Sequence, residues 1–232
     1  MPRIAVLSAN LGSYDQPTVW PDLEVPVGST VDVHRFTDDN FPPRTLAMTS
    51  RLQCGIPKWF PSDFVTADVT IWIDASCAPT PMAVPWFLER IGAAEIAVFK
   101  HPERATIREE YEFMKARMAR PGETYLNSRY RGERLDEQYQ AIVRAGHQEL
   151  PLYASTAFAC RSTTRVRAAL ADVFLMKARY LLHDQLAFPH ALRTHGCAVH
   201  VIPDNYLKCE ALQFTRRRRR EIVNWPTAVP MR

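Results

Sequence analysis

Short apolar runs alternate along the chain with longer segments in which apolar residues recur every three or four positions. The short runs are rich in β-branched and aromatic side chains, which is typical of buried strands, whereas the longer period is typical of helices that pack by one face. This alternation predicts an α/β fold with a mixed, mostly parallel sheet flanked by helices. The predicted strands are Arg3 to Ala9, Val31 to Phe36, Val69 to Asp74, Glu95 to Lys100, Leu152 to Cys160 and Ala198 to Ile202.

Three segments have the helical period and are predicted as helices: Arg104 to Arg120, Leu135 to Arg144 and Arg165 to Leu182. The first segment has one apolar stripe, formed by Ile107, Tyr111, Met114 and Met118. The stretch from Thr37 to Asp63 contains four prolines among scattered aromatic residues. It is therefore predicted to be a packed, irregular connection with at most one short helix.

The length and composition indicate one large folded domain. The chain has 232 residues, of which 47% are hydrophobic and 23% are charged, a balance that excludes disorder throughout. Its net charge is +4, and five arginines stand together at Arg216 to Arg220, so the remainder is close to neutral. The composition changes after Phe214. The sequence thus predicts a domain over residues 1–214 and a basic tail over residues 215–232, which is either solvated or in contact with an anion.

Several chemistries are excluded by their missing motifs. There are only 8 glycines, and neither GxGxxG nor a P-loop sequence occurs. The 5 cysteines have neither redox-pair nor zinc-site spacing, so they are expected to be reduced thiols. The chain shows no positively charged leader before a long apolar stretch, and we therefore expect a cytoplasmic protein without a membrane segment.

One predicted strand ends in a candidate ligand-binding residue. The apolar run Thr70 to Ile73 is followed by Asp74 and, two positions later, by Ser76. Ligands of α/β sheets bind at the carboxyl ends of strands, and an acidic side chain there can hold a divalent cation. The pattern alone also fits a carboxylate that caps a loop.

Two further segments carry polar groups in unusual places. In Phe99 to Arg104, a strand ends in basic residues just before a helix, which favours either a phosphate site or a solvated turn. In His183 to Phe188, Asp184 stands between apolar stretches. Burying this carboxylate would be costly without a partner. It is therefore a candidate for a catalytic or ligand-binding group, and a helix cap is the alternative.

Several short motifs follow one another along the chain in a fixed order. They are Gly12-Ser13-Tyr14-Asp15, Phe36-Thr37-Asp38, Ser50-Arg51 followed by Pro57, Trp72-Ile73-Asp74-Ala75-Ser76, Phe99-Lys100-His101-Pro102-Glu103-Arg104, Glu109-Glu110 and Asp184-Gln185-Leu186-Ala187-Phe188. Taken in this order, they resemble the glycosyltransferase-like family that includes the plant mucilage-related proteins. The resemblance extends from about residue 5 to about residue 192, and the common order of its short pieces makes the match specific.

The resemblance implies a GT-A type of fold, which is a Rossmann-like α/β domain, and a nucleotide-sugar donor held through Mn²⁺ or Mg²⁺. The family's strand-end motif is usually Asp-x-Asp, whereas this chain has Asp74-Ala75-Ser76, similar to the family's Asp-Gly-Ser version. A hydroxyl thus replaces the second carboxylate. The expected metal site consists of Asp74, the diphosphate and His200.

The resemblance also implies roles for other residues. A UDP-sugar is the expected donor, with Tyr14 stacked on its base and Asp38 bonded to the base or ribose. Asp184, together with Gln185, is the catalytic candidate, either as the base for the acceptor hydroxyl or as a group that grips the donor sugar. The donor-binding candidates are Asn10, Gly12, Tyr14, Asp38, Arg51, Ser76, Lys100, His101 and Arg104.

Two alternative functions remain open on the sequence. A non-catalytic protein of the same fold could use Arg216 to Arg220 to hold a nucleic acid or another polyanion, and a transferase could use them to bring a nucleic-acid acceptor to its site. A hydrolase is the third possibility, because a lipid amidase activity is attached to a member of the similar family. The acceptor is otherwise undefined and could be a glycan or a small molecule.

Overall fold

A mixed sheet forms the centre of the protein. The computed structural model describes residues 1–12, 14–44 and 46–214. Within these ranges the strands are β1 (Arg3–Asn10), β2 (Thr30–Thr37), β3 (Val69–Ile73), β4 (Cys77–Pro79), β5 (Ile96–Lys100), β6 (Tyr153–Arg161), β7 (Val199–Ile202) and β8 (Leu212–Phe214). Six of them form one sheet in the order β2-β1-β3-β6-β5-β7, and β6 alone runs antiparallel to its neighbours. The predicted mixed, mostly parallel sheet is confirmed.

Eight α-helices surround the sheets in the described part of the chain. They are α1 (Ser50–Gln53), α2 (Gly55–Trp59), α3 (Ala83–Ile91), α4 (Ile107–Met118), α5 (Tyr125–Tyr130), α6 (Leu135–Arg144), α7 (Thr164–Arg179) and α8 (Ala187–Thr194). The three predicted helices correspond to α4, α6 and α7. None of the helices in these ranges is long and apolar enough to cross a bilayer.

The connection between β2 and β3 is more helical than predicted. It contains α1, α2 and a 3-10 helix at Pro61–Asp63, so the prediction of at most one short helix is wrong. The prolines do not prevent these helices because they stand in first turns, where a missing N–H costs no intrahelical bond. Pro57 is the third residue of α2, and Pro61 begins the 3-10 helix.

Both faces of the sheet are buried, which explains the continuous apolar runs of the strands. Along β1, Ile4 and Val6 point into a core shared with α3, while Ala5 and Leu7 point into a core shared with α7 and α8. A third apolar cluster packs α4, α5 and α6 together and contains the predicted stripe of α4. The fold therefore places helices on each side and leaves the strand ends accessible.

The tail lies outside the described residues. Arg216 to Arg220 belong to residues 215–232, and Ser13 of the first family motif also lies outside the described ranges. The division into a domain over residues 1–214 and a basic tail therefore stays a prediction.

The core around α3 gives a direct test of the fold. Phe87 has no exposed surface and makes edge-to-face contacts with Trp86 and Phe99 at centroid distances of 5.1 and 6.0 Å. Phe87→Ala should lower the free energy of unfolding by about 3–5 kcal/mol, because it leaves a cavity. Urea denaturation measures this change. In Leu175→Ala, where the side chain is 60% exposed, the change should stay within about 0.5 kcal/mol. Equal losses in the two variants would contradict this core.

Candidate active site

A cavity of about 220 Å³ opens at the carboxyl ends of β1 and β3. The chain moves from β1 to β2 on one side of the sheet, whereas β3 pairs with β1 on the other side. This reversal is the switch point at which open α/β sheets bind ligands. Residues 9–11 at the end of β1 and residues 74–76 after β3 line the cavity, together with side chains from α1, α2, α5 and α7.

The loop after β1 is held in a fixed shape. The Asn10 amide donates to the carbonyl of Asp15 at 2.7 Å, and its oxygen accepts the Asp15 N–H at 3.0 Å. The Gly12 N–H donates to Asp38 Oδ1 at 2.7 Å. Gly12 has a φ of +69°, and a Cβ at this position would lie 2.6 Å from Ser50 Oγ. The positive φ and the close approach of α1 together require glycine.

A buried lysine joins two carboxylates at the floor of the cavity. Lys58 Nζ, from α2, lies 3.2 Å from Asp74 Oδ1 and 3.2 Å from Asp184 Oδ2. It also lies 3.5 Å from Ser155 Oγ on β6. The Lys58 side chain is only 6% exposed, and the indole of Trp72 donates to Asp74 Oδ1 at 2.6 Å. Four separate parts of the chain therefore meet at one ammonium group.

A second lysine, Lys177 of α7, completes this cluster. Its Nζ lies 3.5 Å from Asp184 Oδ2, and its side chain is 8% exposed. Burial alone would raise the pKa of the Asp184 carboxyl, but the ammonium groups of Lys58 and Lys177 outweigh burial and hold this pKa well below its ordinary value. Burial lowers the pKa of Lys177, and the charge of Lys58 adds to this lowering, while Asp184 opposes it.

Two arginines face the cavity from short helices. Arg51 of α1 lies over the ring of Tyr130 at 5.3 Å, and Arg129 of α5 lies over the ring of Tyr14 at 5.4 Å. Within the described part of the chain, Nε of Arg129 is a buried donor without a hydrogen-bond partner. Counting Lys58 and Lys177, four cationic side chains line the cavity, against the three carboxylates of Asp15, Asp74 and Asp184. The cavity is thus suited to an anion.

A polar network connects the cavity to the turn after β5. His183 lines the cavity, and its Nε2 lies 2.8 Å from Glu110 Oε1. The other oxygen of Glu110 accepts from Arg104. Burial would raise the pKa of Glu110, but His183 and Arg104 lower it below the ordinary value, so the carboxylate stays charged. Arg104 therefore supports His183 and does not line the cavity itself.

The structure brings together about half of the residues predicted for the site. Those that line the cavity are Asn10, Tyr14, Arg51, Asp74, Ser76 and Asp184. Gly12 and Asp38 lie directly behind this lining, because they brace the loop that carries Asn10 and Tyr14. The predicted residues that do not line it are Lys100, His101, Arg104, Gln185 and His200.

The reasons for these differences are local. Lys100 is exposed at the end of β5, and Gln185 is half-buried beside Asp184 but outside the lining. His101 is buried, and its Nδ1 accepts the N–H of Arg104 at 3.1 Å, so the ring stabilises the turn. Burial lowers the pKa of His101, with a further contribution from Arg104. A neutral ring at this place fits a structural role.

Asp74 and His200 do not share a metal site. His200 is exposed on the edge strand β7, where it pairs with Ala97 of β5, and both β6 and β5 lie between β7 and β3. Three strand spacings, roughly 14 Å, separate the two strands. This corrects the expected ligand pair. In the described ranges, no group of three or more His, Cys, Asp or Glu side chains could hold a metal ion.

The carboxylates that do face the cavity also fit a divalent cation poorly. Asp74 and Asp184 already bind the ammonium of Lys58, and Asp184 binds Lys177 as well. Mg²⁺ is usually held by one or two carboxylates together with substrate phosphates and waters. Here Asp74 and Asp184 are already neutralised by buried lysines, so a cation would have to displace Lys58 to bind between them. This donor set therefore does not match the expected cofactor.

Asp184 is also poorly suited to act as a base. A general base works best with a pKa near the working pH, whereas two lysines lower the pKa of Asp184 far below that range. Cys54, which lines the same cavity, has its pKa raised to about 11 by burial. A raised pKa favours the thiol over the thiolate that nucleophilic catalysis needs.

Most of the cationic side chains of the site were not predicted from the sequence. Three of them lie on helices and have no motif around them: Lys58, Arg129 and Lys177. No local sequence pattern distinguishes a lysine that is buried in the folded protein from one that stays exposed. One signal was available for Lys58: it follows Ile56 and Pro57 and precedes Trp59 and Phe60, so it is a lone charge in an apolar run. Such a charge needs a buried partner.

Solved structures of similar architecture are known. Mouse xyloside xylosyltransferase 1, in its apo form, aligns with a TM-score of 0.46 and 9% identity over 86% of this chain and 85% of that one. The bifunctional glycosyltransferase WbbM, also apo, aligns with a TM-score of 0.48 and 14% identity over 89% of this chain and 39% of that one. No protein-family model matches the chain, and neither does any curated protein. These likenesses are too weak to carry an argument about function, which depends on the site.

The lysine–carboxylate cluster should make a large contribution to stability. Asp184→Asn removes one charge of a buried pair and should lower the free energy of unfolding by about 3 kcal/mol, as urea denaturation at pH 7 would measure. The control is Asp136→Asn, which breaks an ion pair with Lys115 whose side chains are 49% and 55% exposed. This change should cost at most about 1 kcal/mol. A loss no larger for Asp184 than for Asp136 would contradict the cluster.

The contribution of Asp184 should also depend on pH. Its pKa is lower in the folded protein than its ordinary value of 3.8, so its stabilisation is complete above that value and is lost as the pH falls below it. The difference in unfolding free energy between wild type and Asp184→Asn should therefore be constant between about pH 5 and pH 7 and should shrink at lower pH. A difference that grows on acidification would reverse the assigned sign.

Proposed function

We propose that the chain is a glycosyltransferase that uses a nucleotide-sugar, with a UDP-sugar as the first donor to test. The observation that carries the proposal is the cavity at the sheet's switch point, where four cationic side chains surround a space beside two tyrosines. A nucleoside diphosphate needs cations for its phosphates and an aromatic surface for its base. The order of the family motifs in the sequence supports the same reading.

The donor would lie across the loop after β1. Arg51 and Arg129 would bind the diphosphate, since each presents several N–H donors and neither has a carboxylate partner within the described ion pairs. Tyr14 would stack on the base. Because the cavity is smaller than the 300–1,000 Å³ that is usual for whole ligands, the sugar would extend into the open cleft.

A second cavity, of about 360 Å³, adjoins the first and shares Lys177 and Leu182 with it. We assign it to the acceptor. Glu133 lines this cavity, and its Oε2 accepts the Leu182 N–H at 2.5 Å. Burial raises the pKa of Glu133, which moves it toward the range of a general base.

The bonds, electrons and protons of the proposed transfer can be accounted for. The bond between the anomeric carbon and the β-phosphate oxygen breaks, and its electron pair stays with the nucleoside diphosphate. A bond forms between that carbon and the acceptor oxygen, whose proton passes to Glu133. Cations around the diphosphate would stabilise the negative charge that develops on the leaving group.

Calorimetric titration with UDP and UDP-sugars tests donor binding. In Arg51→Gln, affinity for UDP should fall by about tenfold to one-hundredfold, because a charge-assisted hydrogen bond contributes about 1.5–3 kcal/mol. The matched control is Arg108→Gln, since Arg108 is exposed, pairs with Glu149 on the surface and lines neither cavity. The proposal fails if no nucleoside diphosphate binds, in EDTA or in Mn²⁺.

Glu133→Gln tests the acceptor side. The amide keeps the hydrogen bond from Leu182 but cannot take a proton, so turnover should fall by about 10²- to 10⁴-fold while UDP affinity stays within twofold. UDP release from UDP-sugars, measured with panels of glycan and small-molecule acceptors, gives the rate. Glu149→Gln is the surface control, because Glu149 pairs with Arg108 and lines neither cavity. Unchanged turnover in Glu133→Gln would remove this residue from the mechanism, and release of free sugar at the same rate without acceptor would indicate a hydrolase.

A further inference from the structure

The ammonium of Lys58 is surrounded as a bound cation would be. Its three N–H donors face three oxygen atoms, namely Asp74 Oδ1 and Asp184 Oδ2 at 3.2 Å each and Ser155 Oγ at 3.5 Å. Its position is also fixed from the sides, because Nζ lies 5.0 Å from the ring centroid of Trp59 and 5.6 Å from that of Trp72. The donors and acceptors of this group are therefore matched.

This position is the one at which the resemblance expects a divalent metal. Asp74 is the strand-end carboxylate of the family motif; its side chain is 36% exposed to the cavity, and its Oδ1 pairs with Lys58. A metal could take the place between Asp74 and Asp184 only if Lys58 moved away. That movement would leave a side chain now 6% exposed without its two partners, and unpaired buried charges are strongly destabilising.

We propose that Lys58 is a built-in replacement for the divalent cation, so that this chain binds the diphosphate of its donor without a metal ion. Because the Lys58 ammonium is part of the chain and is buried, a solvent cation cannot exchange with it. Asp74 and Asp184 then act as positioning residues, which hold Lys58 and Lys177 at the floor of the cavity.

The charges of the cavity agree with this proposal. Asp74 and Asp184 balance the two lysines, so the positive charge that remains for a ligand comes from Arg51 and Arg129, against the one further carboxylate of Asp15. Their guanidinium groups can neutralise the diphosphate, while Lys58 occupies the place between the carboxylates that a metal would take. This part of the inference rests on the proposed function, whereas the replacement of the metal by Lys58 does not.

Titration of the full chain with Mn²⁺, followed by electron paramagnetic resonance and without any nucleotide, tests the replacement directly. Wild type should leave the Mn²⁺ free at concentrations up to about 1 mM, the weak end of protein affinities for divalent ions. Stoichiometric binding by wild type that disappears in Asp74→Asn would overturn the proposal, because the carboxylate would then be a metal ligand.

Lys58→Ala should turn the same place into a metal site. Removing the ammonium leaves Asp74 and Asp184 facing an empty space, so Mn²⁺ affinity should rise at least tenfold above wild type and fall again in Lys58→Ala combined with Asp184→Asn. Lys115→Ala is the control, because it frees the exposed carboxylate of Asp136 and should create no site. A folded Lys58→Ala protein that gains no Mn²⁺ binding would also overturn the proposal.

A second measurement covers the case in which Lys58→Ala does not fold. Wild type should bind UDP with equal affinity, within twofold, in EDTA and in Mn²⁺. Binding that requires Mn²⁺ would overturn the metal replacement but would support a nucleotide-dependent function. Failure of UDP to bind under both conditions would contradict the proposed function, and the Mn²⁺ titration without nucleotide would still decide the role of Lys58.

Discussion

The pairing of two buried lysines with two carboxylates is the constraint on which the rest of the site depends. A charge removed from water must have a partner, because its desolvation costs several kcal/mol. Lys58 satisfies this requirement with Asp74 and Asp184, and Lys177 satisfies it with Asp184. These pairs hold the segments that carry the four residues against one another, and together they form the floor of the cavity.

The sheet and its helices bring these partners together from distant parts of the sequence. Asp74 follows β3 in the centre of the sheet, whereas Lys58 precedes it on α2, which packs against β1 and α7. Asp184 lies in the connection between α7 and α8, close to Lys177 at the end of α7. The charge cluster thus links the sheet to the helical layer on one of its faces, so the fold and the site depend on the same contacts.

The sequence predicted the parts of this structure that arise from local patterns. The period of apolar residues gave the strands of the main sheet and the helices α4, α6 and α7, with bounds that differ by a few residues. It could not give α1 and α2, because four- and five-residue helices between prolines have no measurable period. Asp74 and Asp184 were found because a carboxylate at a strand end or within an apolar stretch is locally conspicuous. Lys58 was missed because its pairing with Asp184, 126 positions away, leaves no trace in the sequence around Asp184. Lys177 is only 7 positions from Asp184, but the helical pattern around it does not show which of its charged residues is buried.

The lysines and the arginines of the cavity have different roles because they lie on different elements of the fold. Lys58 and Lys177 are buried and matched by carboxylates, so changing them disturbs the packing of the sheet. Arg51 and Arg129 lie on the short helices α1 and α5, whose contacts with the sheet are few, and they interact mainly with tyrosine rings and backbone carbonyls. Neither arginine forms an ion pair with a carboxylate in the described part of the chain, so both keep charge that a ligand can neutralise. A neutralised floor and cationic walls together suit a site in which negative charge develops on one group during the reaction, because the walls supply the stabilising charge.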